Sequence, residues 1–138
     1  MNVQDFMTVE VFKVTLDMTV KQAIELLTSK RVSGAPVMDA GAVVSVVREG
    51  DLLKLAAAGK LNETVQACLQ SLVSAEKLVT LKRTSTFVEA YRAFLLNSVD
   101  RIVVTDGSGK LQGIVSRRNL FRALVEAEAG QVSKAESA

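Results

Sequence analysis

Near the C-terminus the run Gly113-Ile114-Val115-Ser116-Arg117-Arg118-Asn119 collects residue types that suit phosphate and sugar groups. An apolar, β-type stretch leads into Ser116, a favoured helix N-cap residue. The helix behind it would present free backbone N–H groups and a positive dipole end to an anion. Arg117 and Arg118 stand beside that end, as a phosphate would want. Asn119, one turn in, can offer its amide to sugar hydroxyls. An earlier run, Ser45-Val46-Val47-Arg48-Glu49-Gly50-Asp51, has the same layout, and there Asp51 is acceptor-only, which suits a pair of ribose hydroxyls. A plainer chemistry fits the same residues. Asp51 and Asn119 fall in a first helical turn, where capping and the dipole alone favour them. Ser116 by itself reads as an N-cap, and Arg117, Arg118 and Arg122 also fit a solvated face.

The two runs belong to a repeat that fills the chain. Val46-Val47-x-x-x-Asp51-Leu52-Leu53 recurs 68 residues later as Ile114-Val115-x-x-x-Asn119-Leu120-Phe121. Thr19-Val20-Lys21-Gln22-Ala23 recurs 67 residues later as Thr86-Phe87-Val88-Glu89-Ala90, and Val37-Met38-Asp39 recurs as Val104-Thr105-Asp106. A duplicated unit makes clefts in pseudo-symmetric pairs, so function is sought where the copies meet.

Each copy reads as strand–helix–strand–strand–helix, which predicts an α/β (α+β) fold. In the first, Val11–Leu16 is extended, and Thr19 with Gln22 forms a capping box for a helix striped by Val20, Ala23, Ile24 and Leu27. Ala35-Pro36-Val37-Met38 and Val43–Val47 are strands joined by a turn at Asp39-Ala40-Gly41, with the only Pro at a tolerated strand start. A second helix begins at Leu52 and stops at Gly59. The second copy repeats this with Leu78–Leu81, the Thr86–Glu89 box, Ile102–Thr105, a turn at Asp106-Gly107-Ser108-Gly109, Leu111–Val115 and a last helix through Leu124 and Val125. Val65, Cys68, Leu69 and Leu72 predict a connecting helix from Glu63 to about Ser74. The resulting division is 1–60, first repeat; 61–73, connecting helix; 74–127, second repeat; and 128–138, a frayed polar tail.

Composition narrows the function. Of 138 residues, 49% are hydrophobic and 23% charged, enough for a core built from Val, Leu, Ile and Ala. Aromatic residues are only 4% and the net charge is +2, which argues against a base-stacking or strongly electrostatic nucleic-acid surface. There is no His and a single Cys, Cys68, so no disulfide framework, metal cluster or catalytic constellation can be assembled. The expectation is no catalytic residue, no metal and no enzyme activity. Neither a signal peptide nor an apolar run of the ~20 residues a membrane span requires is present, so a cytoplasmic protein is expected.

These corners, together with Ala35-Pro36-Val37-Met38-Asp39 and Asp5-Phe6-Met7-Thr8, resemble a tandem CBS pair (cystathionine β-synthase-type repeats, a Bateman module) over roughly residues 3 to 127. The resemblance implies two pseudo-symmetric βαββα repeats packed through their sheets, with two clefts for adenine nucleotides or S-adenosylmethionine. In that family a Ser/Thr and an Asp three residues later hold phosphate and ribose. Carried over, the second cleft would use Ser116 and Asn119, with Ile102 and the Ser74–Lys77 segment (Ser74 and Lys77 at its ends) around the base. The first would use Asp51, with Ala35, Pro36 and the Thr8–Val11 segment (Thr8 and Val11 at its ends) around the base. Arg48, Arg101, Arg117 and Arg118 would reach phosphates, or Arg48 would fill an empty first cleft.

Four departures stand out: Arg48 replaces Ser/Thr, Ser45 replaces Gly, Asn119 replaces Asp and Val103 replaces Pro. The implied function is a regulatory module that senses AMP, ADP, ATP or S-adenosylmethionine, forms a homodimer and acts on an effector protein in trans. No resident cofactor is expected. The alternative is an interaction or dimerisation module with degenerate, non-binding clefts.

Overall fold

Short β-branched runs alternate with amphipathic helices along the computed structural model, which describes residues 1–75 and 77–137, with side chains as far as residue 129. A 3-10 turn at Val3–Asp5 precedes β1 (Val14–Thr15), α1 (Val20–Lys30), β2 (Gly34–Asp39), β3 (Ala42–Arg48), α2 (Glu49–Ala57) and α3 (Leu69–Ala75). Then come β4 (Thr80–Leu81), α4 (Phe87–Leu96), β5 (Arg101–Thr105), β6 (Leu111–Ser116) and α5 (Arg117–Ser137). The strands form two three-stranded sheets, ordered β1-β2-β3 and β4-β5-β6. The fold is mixed α+β, with the strand–helix–strand–strand–helix order expected from the repeat.

Local chemistry accounts for the element ends. Thr19 Oγ1 accepts from Gln22 N at 3.1 Å and Gln22 Oε1 accepts from Thr19 N at 2.9 Å. Thr86 and Glu89 do the same, both at 3.1 Å. Each box satisfies two donors that a helix start leaves open. Ala40 and Gly41 have φ of 49° and 84°, the paired positive values of a tight hairpin between β2 and β3. Pro36 pairs antiparallel with Val46, while the parallel pairing of β1 to β2 begins one residue later, at Val14 and Val37. The missing N–H therefore falls before the ladder on that side.

The chain divides into two compact units that do not coincide with the repeats. One contains Glu10–Leu78 and Gly107–Leu111; the other contains Met1–Val9, Val79–Asp106 and Gln112–Ala138. The first unit's core is Val14, Val20, Ala23, Leu27, Val37, Val47, Leu52, Leu55, Val65, Cys68 and Leu72 with Ala35. The tip of the second repeat's hairpin joins it, with Val43 N donating to Gly109 O at 3.2 Å. The other core contains Val3, Phe6, Ala90, Val104, Val115, Leu120 and Ala123.

The N-terminal residues, read as part of the first repeat, thus fold with the second. Val3 N donates to Ser85 O at 2.8 Å and Phe87 N donates to Met1 O at 3.0 Å. Phe6 meets Phe87 edge-on at 6.2 Å between centroids.

Two other boundaries differ from the sequence reading. Helix α3 starts at Leu69 rather than Glu63, because Val65 N and Gln66 N donate to Met18 O and Leu16 O instead of entering a helix. At the other end, α5 continues through Ser137 where a frayed tail from 128 was expected. Glu126, Ala127, Glu128 and Ala129 are strong helix formers and favour its continuation past Val125. Ala138 lies outside the described residues. No helix among the described residues is long and apolar enough to cross a membrane.

Gly113 is required by close approach: a Cβ there would lie 2.8 Å from both Met7 Sδ and Thr8 O. Gly113→Ala is expected to cost about 1–3 kcal/mol by overpacking. Gly50, in α2, has nothing within 4 Å of an added Cβ. Gly50→Ala should therefore be neutral or stabilise by up to roughly 0.5–1 kcal/mol. Urea unfolding of the two variants checks this contrast, and equal effects would refute it.

Cys68 is 2% exposed. Burial, aided by the nearby Glu63 carboxylate and opposed by Lys60, raises its thiol pKa above the ordinary value of 9.0. Folding therefore favours the protonated thiol, and the associated stability is full below pH 9.0. It is lost as pH rises through the higher folded-state pKa, because the unfolded chain then releases the proton first. Cys68→Ala should lack this alkaline loss. Denaturant titrations from pH 7 to pH 10.5 measure it, together with a thiol that reacts slowly with Ellman's reagent until the protein unfolds.

Candidate ligand-binding corners

Each strand-to-helix corner is built by the residue three positions inside the helix turning back on the corner's own N–H. At the β6–α5 corner, Asn119 Oδ1 accepts from Ser116 N and Ser116 Oγ, both at 2.8 Å. Ser116 Oγ in turn accepts from Asn119 N at 3.2 Å. The arrangement is a capping box that uses Asn in place of the usual Glu or Gln.

A residue distant in sequence completes this corner. Thr8 pairs antiparallel with Ile114, with Thr8 N donating to Ile114 O at 2.8 Å and Ile114 N donating to Thr8 O at 2.9 Å. Asn119 Nδ2 then donates to Thr8 Oγ1 at 3.2 Å, and that hydroxyl lies 3.4 Å from Asn119 Oδ1. Asn119 is 6% exposed, whereas Thr8 is exposed. The corner therefore displays two hydroxyls around a buried carboxamide, one of whose two amide hydrogens is used by Thr8.

The β3–α2 corner closes differently. Asp51 Oδ2 accepts from Arg48 N at 3.0 Å, the counterpart of the Ser116–Asn119 contact. Arg48 has no acceptor to return. Its guanidinium instead grips the carboxylate, Nε to Oδ2 at 3.2 Å and Nη2 to Oδ1 at 3.2 Å. The Asp51 side chain is 5% exposed and that of Arg48 32%. Ser45, at the position of Gly113, is 2% exposed and donates to Val46 O at 3.4 Å.

Thr8 was expected at the first corner, and the structure brings it to the second, in the unit that also contains Arg101, Ile102, Ser116, Arg117, Arg118 and Asn119. Conversely, Ser74 and Lys77, expected around the second site, fold in the unit of Val11, Ala35, Pro36, Arg48 and Asp51. Both are exposed, Ser74 near the end of α3 and Lys77 just beyond it, while Glu76 between them lies outside the described residues. Ala35 and Pro36 are buried in β2 beside Val47 and Val46. Ile102 is fully buried and Arg101 is 9% exposed, at the start of β5. Arg117 pairs with the carboxylate of Asp100, and its N–H donates to Asp100 O at 3.2 Å. The side chains are 61% and 41% exposed, so the pair is solvated and readily exchanged. Arg118 is exposed in the first turn of α5.

The resemblance puts Thr8 around the first cleft and uses Met7 only as part of the Asp5-Phe6-Met7-Thr8 run. The signal for both was Gly113, a glycine inside a β-type run, which marks a close backbone approach without naming the partner. Among the described residues no group of His, Cys, Asp and Glu is placed to hold a metal ion.

The CBS domain model matches residues 3–58 and again residues 71–126. The Arabidopsis thaliana protein "CBS domain-containing protein CBSX2, chloroplastic" is 32% identical over 133 residues, covering 78% of this chain and 56% of the relative. A crystal structure of CBSX2 in complex with AMP matches with a TM-score of 0.73 at 30% identity, covering 92% of this chain and 98% of that one. The CBS domain pair of protein MJ0100, in complex with 5'-methylthioadenosine and S-adenosyl-L-methionine, matches at 15% identity with a TM-score of 0.77 over 92% and 98% of the two chains, and shares the fold. Among curated relatives the uncharacterized protein MJ1232 of Methanocaldococcus jannaschii is 23% identical over 113 residues, and the match spans 82% of this chain but 36% of that protein. Two family matches on one chain, in the places where the sequence repeats, lead to one conclusion: the chain belongs to the CBS domain family, as a tandem CBS pair.

Proposed function

We propose that this CBS pair is a regulatory, non-catalytic module that senses an adenosine-containing ligand and passes the signal to a partner protein. The observation that carries this reading is the corner of Ser116, Asn119 and Thr8. Two hydroxyls and a carboxamide converge there at the start of a long helix, hydrogen-bonded to one another at 2.8–3.4 Å. Sugar hydroxyls can replace such mutual contacts one for one, since each group both donates and accepts or has a donor to spare. Arg117 and Arg118, both exposed in the first turn of α5, are the phosphate contacts in this reading. That CBSX2 was crystallised with AMP, and the pair of MJ0100 with S-adenosyl-L-methionine, supports an adenosyl ligand for a chain of the same family. Binding would bias the populations of two packing states of the module, and a partner would read the difference. The lone buried thiol suits a reducing compartment such as the cytoplasm.

The ligand reading is tested by isothermal titration and thermal shift with AMP, ADP, ATP and S-adenosylmethionine. Saturable binding of one of these is expected, with stabilisation of about 2.7 kcal/mol at a hundredfold excess over Kd. Ser116→Ala with Asn119→Ala should weaken it at least tenfold, which is about 1.4 kcal/mol or more. A flat response to all four compounds would leave the module as an interaction domain.

Self-association is part of the proposal. Helices α4 and α5 pack on each other and leave Leu95, Leu96, Phe121 and Val125 exposed at 70%, 82%, 61% and 66%. Tyr91, Phe94, Leu120 and Leu124 line a cavity of about 490 Å³ along the same helix pair. An apolar surface of this kind is costly in water and is characteristic of an interface. Light scattering should give a homodimer for the native chain and a monomer for Leu95→Asp with Phe121→Asp. A native monomer at tens of micromolar would refute self-association through this face.

A further inference from the structure

We infer that Arg48 closes the first corner to ligand, so that each chain binds one adenosine-containing molecule, at the corner of Ser116 and Asn119; this rests on the function proposed above. Asp51 is the residue whose two oxygens would have to take ribose hydroxyls at the first corner. Arg48 takes three of the roughly four acceptor positions of this carboxylate: Oδ2 accepts from Arg48 N at 3.0 Å and from Nε at 3.2 Å, and Oδ1 accepts from Nη2 at 3.2 Å. The guanidinium fork matches the carboxylate in shape and charge, and such bonds are stronger than those between neutral groups. The carboxylate is also 5% exposed, so a ligand that displaced Arg48 would strip a buried charge of its counter-charge. A ribose offers neutral hydroxyls in exchange, which do not compensate.

The second corner carries no such charge. Its contacts are between neutral groups, Ser116 Oγ to Asn119 Oδ1 at 2.8 Å and Asn119 Nδ2 to Thr8 Oγ1 at 3.2 Å. Arg48 and Ser116 occupy the same position in the repeat and face the same partner three residues on. One fills the corner with its own cation and the other leaves it to a hydroxyl. The duplicated architecture therefore contains one corner in use and one sealed by an internal ion pair.

The experiment is calorimetric titration of the full chain with AMP. The native protein should bind close to one AMP per chain. Arg48→Thr, which frees Asp51 and restores a hydroxyl, should bind close to two, the added site being the weaker. Arg48→Thr combined with Ser116→Ala and Asn119→Ala should bind one, at the opened first corner. Arg48→Ala carries the same prediction for stoichiometry should the threonine variant fail to fold. Two AMP per native chain, or an unchanged stoichiometry of one in both Arg48 variants, would overturn the inference and leave the sensing function standing. Binding by an Arg48 variant alone, with none by the native chain, would overturn the proposed use of the second corner and support closure of the first. No binding by any of the proteins would overturn both.

Discussion

The second corner depends on a two-bond antiparallel contact between Thr8 and Ile114, 2.8 Å and 2.9 Å from N to O. Gly113 makes it possible, because any side chain there would collide with Met7 and the Thr8 carbonyl at 2.8 Å. Through this contact Val3 and Phe6 enter a core with Val104, Val115 and Leu120. The Thr8 hydroxyl is set against Asn119 across a separation of 111 residues in sequence. Closing so long a loop is entropically tolerable, since each doubling of length adds only about 0.6 kcal/mol. The apolar burial of Val3 and Phe6 offsets it, at roughly 1.5–3 kcal/mol for each fully buried side chain.

Repeat and folded unit are consequently different partitions of one chain. The family match follows the repeat, 3–58 and 71–126, because each copy carries the whole pattern in order. The compact units follow hydrogen bonds and apolar contacts. These assign Met1–Val9 to the second repeat's sheet and the Gly107–Leu111 hairpin tip to the first repeat's unit. Each unit takes in a piece of the other repeat, so neither repeat as delimited by sequence contains every residue of its own unit.

Much of this was legible in the residues. The Thr19–Gln22 and Thr86–Glu89 boxes were readable because their partners lie three residues apart, and both form as expected. The Ala40-Gly41 turn and the order of strands and helices were equally local. What local pattern could not supply was the partner of a short apolar segment. Val3, Phe6 and Met7 are spaced to bury one face, but nothing in that spacing says against which sheet. The resemblance puts Thr8 around the first cleft, whereas hydrogen bonding sets it against Asn119. The late start of α3, at Leu69, has a related reason. Val65 and Gln66 sit at helical spacing, yet their N–H groups serve Met18 and Leu16.

The two corners show how one structural requirement leaves room for opposite chemistries. A helix that begins at a strand end must satisfy its corner N–H, and Asp51 and Asn119 do so with one oxygen each, at 3.0 Å and 2.8 Å. That much is fixed by the fold and is the same in both repeats. The remaining hydrogen-bonding capacity is set by one further residue. Arg48 takes most of it in a charge-assisted pair over a buried carboxylate. Ser116 engages it only through exchangeable neutral bonds, next to a hydroxyl brought in from the N-terminus. The two repeats differ at the paired positions Ser45/Gly113, Arg48/Ser116 and Asp51/Asn119. The same side-chain atoms cap the helix and close the corner, through charge-assisted bonds at Arg48 and Asp51 and through neutral ones at Ser116 and Asn119.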